Sequence, residues 1–190
     1  MTLQRLSQQE RKDLLALARE SIVCAVSGKR LPKLPEAQLT PLLKENGAAF
    51  VTLTMEGELR GCIGSLQAYQ PLVQDVQEHA VDAALNDYRF LPLSELEVSQ
   101  VEIEISVLTP SEPLPYKNPQ DLPGLLKPHE DGVVLRDGSL RATFLPQVWD
   151  QLPTPEVFLD QLCQKMGAPA NRWRQKVLQV SIYHVEEFKE

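Results

Sequence analysis

Apolar residues at Leu14, Leu15, Leu17, Ala18, Ile22 and Val26 recur at helical spacing. Ser7 followed three residues later by Glu10 is a capping-box signature, and Gly28 ends the run, so the spacing predicts an opening amphipathic helix. Residues 29–43 carry three prolines and no sustained period, which reads as an ordered connector laid over the surface. The stretch "AAFVTLTMEGELRGCIGSL" then alternates as two strands, with Gly57 in the tight turn between them. Strict alternation puts Leu59, Gly61 and Ile63 on one face of the second strand, and Arg60, Cys62 and Gly64 on the other. A helix of small apolar residues is expected from Pro71 to about Asn86, then a loop "NDYRFLPLSE". "VEIEISVL" follows, an apolar and polar alternation that predicts a one-sided antiparallel strand.

From Thr109 to Pro128 the pattern lapses into six prolines, the best position for a lobe boundary within a single domain spanning 1–190. Beyond it come a hairpin turning at Asp137-Gly138, a helix opened by Pro155 and closed by Gly167, and one last strand, "VLQVSIYHV". Strand pairs interleaved with single helices give an α+β class, with mainly antiparallel sheet flanked by helices.

At 190 residues the chain can bury a full core without metal or disulfide staples. A net charge of −7 opposes the phosphate-neutralising electrostatics of nucleic-acid binding, so no nucleic-acid partner is expected. The one short basic run, "NRWRQK" at 171–176, reads better as a helical turn with a buried indole. Cys24, Cys62 and Cys163 are odd in number and far apart, which suits a reducing cytoplasm better than a disulfide framework. The N-terminal stretch has no apolar signal core, and no run is long enough for a membrane span, so neither export nor a membrane is expected.

Candidate chemistry centres on Cys62. A free thiol is mostly protonated at neutral pH, and a same-face Arg60 would favour the nucleophilic thiolate. The partial positive charge of the following helix's N-terminus would act in the same sense if it folded over the strand end. Against this stands the ordinary fate of an unpaired cysteine, burial as a small hydrophobe. Gly61 and Gly64 weaken a strand unless a ligand or another backbone approaches closely, or a bulge needs them. Asp87 and Arg89 could bind an anion or simply pair, and Phe90 should anchor their loop in the core. His79, His129 and His184 are isolated and no metal motif is present, so no metal site is expected; Cys163 falls on an apolar helical face. These residues leave acyl transfer, redox sensing, metal capture and a purely structural role open, and they name no cofactor.

The stretch "FVTLTMEGELRGCIGSL", with "DYRFLPLSELE", "EISVLTP", "DGVVLRDGSLRATFLPQVW" and "FLDQLCQKMGAP", resembles the AMMECR-domain family, known in bacteria and archaea as AmmeMemoRadiSam system protein A. The resemblance covers nearly the whole chain. It implies an α+β unit with a larger and a smaller lobe, whose cleft is lined by Arg60, Gly61, Cys62, Ile63 and Gly64 together with Asp87, Arg89 and Phe90. Leu145, Pro146, Gln147 and Trp149 match a motif of the second lobe. As partners the resemblance implies a Memo-like protein and a radical S-adenosylmethionine protein, and an unidentified small molecule or peptide. The role it implies is that of an accessory component in a modification system, with a Cys62-dependent enzyme or covalent carrier as the alternative, using Arg60 and Asp87 beside the thiol.

Overall fold

Ser7 Oγ accepts the Glu10 backbone N–H at 3.2 Å, and the Glu10 carboxylate accepts the Ser7 N–H at 2.7 Å. This capping box starts α1 (Gln8–Val26) in the computed structural model, which describes residues 5–190. The first four residues, part of the N-terminal stretch read for a signal core, lie outside the described residues. After α1 come α2 (Pro41–Lys44), β1 (Asn46–Met55), β2 (Glu58–Gly64), β3 (Gln70–Pro71), α3 (Leu72–Leu85) and β4 (Glu102–Leu108). The chain continues through β5 (Glu112–Pro113), α4 (Leu122–Leu125), β6 (Gly132–Asp137), β7 (Leu140–Phe144), α5 (Pro155–Lys165), α6 (Arg172–Gln175), β8 (Gln179–Tyr183) and β9 (Val185–Lys189).

These elements form two compact units, one taking the chain up to Leu108 together with Glu186–Glu190, the other Thr109–Val185. The class is α+β with antiparallel sheets. In the first unit the strand order is β2-β1-β4-β9, with β3 added beside the start of β1. Alternation sends Ala49, Val51 and Leu53 of β1, and Ile103 and Ile105 of β4, into a core closed by Leu72, Val76, Ala80 and Ala83 of α3 and Leu14, Ala18 and Ile22 of α1. The alanines on α3 let its backbone lie close to the sheet, and that closeness decides what β2 can carry.

The second unit has a sheet ordered β5-β8-β6-β7. Its core stacks Trp149 on Phe158, ring centroids 3.7 Å apart, and the indole N–H donates to the Asp131 carbonyl at 2.8 Å. Cys163 is fully buried among Leu159, Leu162 and Met166, where burial pushes its thiol up from the usual range.

Two sequence expectations need correction. The strand expected in "VLQVSIYHV" is β8, but it is not the last, because β9 follows it: Thr109 grips both backbone groups of His184 between them, its hydroxyl accepting the His184 N–H at 2.9 Å and its own N–H donating to the His184 carbonyl at 2.9 Å. The chain therefore leaves β8 in one sheet and enters β9 in the other. The connector also contains α2: Thr40 caps it by accepting the Leu43 N–H, Pro41 takes the first helical position, and Leu43 is fully buried.

Candidate functional site

Strand β2 is the edge of its sheet, and a β-bulge governs its side chains. Thr54 faces Leu59 and Leu53 faces Gly61, which leaves Arg60 as the extra residue. Strict alternation therefore fails at the position where the sequence placed Arg60 beside Cys62, and Leu59 ends 43% exposed instead of on the core face. Arg60 turns to the 87–97 loop: Nε pairs with Glu97 Oε1 at 3.0 Å and Nη1 donates to the Leu91 carbonyl at 2.9 Å. That guanidinium, with the Ser94 N–H and hydroxyl, holds the Glu97 carboxyl down to about 2.

Beyond the bulge the pairing is regular. Ser65 donates its N–H to the Ala49 carbonyl at 3.1 Å, which sets the phase: Gly61 and Ile63 exchange hydrogen bonds with β1, while Cys62 and Gly64 point theirs at the open edge. At Cys62 that edge is filled by side chains. Asp87 Oδ2 accepts the Cys62 N–H at 2.9 Å, and Arg89 Nη2 donates to the Cys62 carbonyl at 3.1 Å. The two are locked together, Nε to Oδ1 at 2.9 Å and Nη2 to Oδ2 at 2.6 Å, and Asp87 also accepts the Arg89 N–H. The Arg89 guanidinium, aided by those N–H donors against the cost of burial, holds the Asp87 carboxyl well below the usual carboxylate range. A short charged pair thus does the hydrogen bonding that a neighbouring strand would do.

The thiol lies on the sheet face turned away from α3. It is half-buried, and Thr52, its cross-strand partner, donates its hydroxyl to Sγ at 3.3 Å. Glu104 of β4 faces Thr52 from the other side, so Cys62, Thr52 and Glu104 form one row across three strands. The Glu104 carboxylate has no protein hydrogen-bond partner among the described residues, and Arg89, whose side chain is 42% exposed, has none at Nη1. This row can hold a polar group against a fixed thiol. Thr52 and Glu104 were absent from the sequence-derived set, although period-two alternation through β1 and β4 was enough to line them up.

The glycines answer to packing. A Cβ on Gly61 would sit 2.1 Å from the Ala83 carbonyl oxygen of α3, and one on Gly64 would sit 2.4 Å from the Phe50 ring and 2.5 Å from the Ala49 carbonyl oxygen. Neither glycine leaves room for a ligand where its side chain would be. The helix-dipole expectation is reversed as well: the last turn of α3 meets Gly61, whereas its first residue, Leu72, crowds Gly47. Ile63 packs on the core, and half-buried Phe90 has the Arg89 guanidinium 5.4 Å from its ring centroid.

A buried carboxylate missed by the sequence reading supports the end of β2. Asp75 accepts the Ala49 N–H at 2.8 Å, Ser65 Oγ at 3.4 Å and Gln70 Nε2 at 3.3 Å, and its Oδ2 lies 3.2 Å from His79 Nδ1. His79 is thus tied into the first unit. In the second unit, His129 pairs with Asp150 and His184 with Asp131. Pro146 and Trp149 are buried there in a short 3₁₀ turn, Pro146–Asp150. In the basic run, Trp173 is buried and donates to Asp160, Arg174 pairs with Asp160, and Arg172 and Lys176 both pair with Asp137. Among the described residues no group of three or more His, Cys, Asp or Glu side chains is placed to hold a metal ion, and no helix is long and apolar enough to cross a membrane.

Comparison with known proteins places this geometry. The AMMECR1 family model matches residues 15–188. A protein of Methanothermobacter thermautotrophicus is 35% identical over 190 residues, covering 97% of this chain and 96% of its own. One from Thermofilum pendens is 34% identical, covering 98% of this chain and 92% of its own. The crystal structure of an uncharacterized protein from Pyrococcus horikoshii superposes with a TM-score of 0.81 at 30% identity, covering 97% of this chain and 93% of that one.

Proposed function

Because the chain belongs to the AMMECR1 family, we propose that it is an accessory component of an AmmeMemoRadiSam-type modification system, acting with a Memo-like protein and a radical S-adenosylmethionine protein. The surface it offers them is built on Arg60–Gly64 and the Asp87–Arg89 pair. One observation carries this reading: the edge of β2 at Cys62 is completed by the side chains of Asp87 and Arg89. A strand edge closed in this way presents a rigid thiol and an exposed guanidinium, and it does not invite indiscriminate strand pairing. Co-expression of the three proteins, with this chain tagged, tests the proposal. Both partners are expected to co-purify with the wild type and with Cys62→Ser, and to be depleted with Arg89→Ala; co-purification of neither partner with the wild type overturns it.

A second reading, Cys62 as nucleophile or covalent carrier, is favoured by the Thr52 hydroxyl aimed at the Sγ of a half-buried residue. Alkylation of the native protein at mildly alkaline pH, mapped by mass spectrometry, should then modify Cys62 before Cys24 and Cys163. A Cys62 that stays unmodified until the protein is denatured ends this reading.

A further inference from the structure

Three side chains stand apart from every other large apolar residue described: Tyr88 is 93% exposed, Leu91 84% and Leu96 82%, whereas no other exceeds 56%. All three belong to one loop, and that loop is tied down along its length. Phe90 donates its N–H to the Asp87 carbonyl, Leu93 is buried and donates its N–H to the Ala84 carbonyl, and Ser94 and Glu97 share three hydrogen bonds. Arg60 touches both the Leu91 carbonyl and the Glu97 carboxylate, so one guanidinium gathers the backbone at Leu91 and the neighbour of Leu96. The side chains are therefore presented from a fixed frame, where ordering costs little at the moment of binding.

The electrostatic setting selects the occupant. Between Asn46 and Leu108 the chain carries ten carboxylate side chains and two arginines. Both arginines are already paired, Arg60 with Glu97 and Arg89 with Asp87. A second copy of this chain, which carries a net charge of −7, would bring like charge against like, and an anionic lipid surface would be repelled. We propose that the 88–96 loop is the docking surface for a basic partner protein, whose apolar residues, flanked by Lys or Arg, cover Tyr88, Leu91 and Leu96. This rests on the partner-binding reading above and names the chemistry of the partner.

The test uses the full chain and a phage-displayed library of random short peptides, followed by fluorescence titration of the enriched sequences. Enriched peptides are expected to combine large apolar residues with net positive charge. They should lose affinity at least about tenfold on Leu91→Ser and on Leu96→Ser, in the manner of central contact residues. Glu95→Lys should weaken them too, while Val157→Ser, at an exposed apolar position in the other unit, should bind as the wild type does. Acidic or uncharged selected sequences, or affinities indifferent to Leu91, Leu96 and Glu95, overturn the proposal. So do a self-associated dimer that Leu91→Ser dissolves and retention on phosphatidylcholine vesicles. Because no Memo-like or radical protein is present and the readout is Leu91, Leu96 and Glu95 rather than Arg89, failure here is distinct from failure of the co-purification.

Discussion

Asp87 accepts the backbone N–H of Cys62 at 2.9 Å from a side chain that is itself almost wholly buried. The bond makes the 87–97 loop a substitute for a missing strand, and it ties the loop's position to that of the thiol. Asp87→Ala leaves a strand N–H without a partner and Arg89 without its counter-ion. We expect a loss of about 1–3 kcal/mol in urea unfolding, with Asp87→Asn intermediate because its amide oxygen can still accept the Cys62 N–H. An unchanged urea midpoint for Asp87→Ala would mean that the clamp is ornamental.

Gly61→Ala is expected to destabilise the protein by about 1–3 kcal/mol, the usual range for an overpacked core. The obstacle is a backbone oxygen, that of Ala83, 2.1 Å from the added Cβ. Ala83→Gly therefore should not rescue it, and thermal melts of the single and double variants check this. For the same reason bulky residues at Gly61 or Gly64 report on packing, and they are poor probes of ligand or partner binding.

Acid should unfold the first unit's loop anchors in a defined order of pH. Asp87 and Glu97 are both held below their ordinary values of 3.8 and 4.5 when folded. Their stabilisation is complete above those values and is lost as pH falls through the folded ones. For Glu97 the loss runs from 4.5 to about 2. Glu97→Gln should be less stable at neutral pH and lose less on acidification, as read from the urea midpoint at successive pH values.

His79 behaves in the opposite sense. Burial lowers it, but Asp75, with Glu78 and Asp82, outweighs burial and raises it above 6.5. Its contribution is present below 6.5 and is lost as pH rises through the folded value. His79→Gln should remove this alkaline-side decline from the stability profile; a decline of unchanged size would assign it to another group.

Local periodicity alone made the capping box, the β1–β2 hairpin, the Val101–Leu108 alternation and the buried face around Cys163 legible in the sequence. The glycines left a bulge open as one reading among several, but its place at Arg60 was not legible, because it is set by what α3 and the 87–97 loop need from β2. At the bulge Arg60 pairs with Glu97, 37 residues away, while the partners of Cys62 are Thr52, Asp87 and Arg89. Asp75 escaped notice because a carboxylate on an amphipathic helix reads as solvent-facing until its partners on β1 and the 65–70 turn are in place. Asp87 and Arg89 could be named as a pair, but their hold on the Cys62 backbone needed the edge position of β2.

Calorimetric titration of the Memo-like protein into this chain and its Arg89→Ala and Cys62→Ser variants tests the central claim most directly. The account predicts saturable binding to the wild type, similar affinity for Cys62→Ser, and affinity for Arg89→Ala weakened at least about tenfold. Absence of binding to the wild type, or equal affinity for Arg89→Ala, would contradict it.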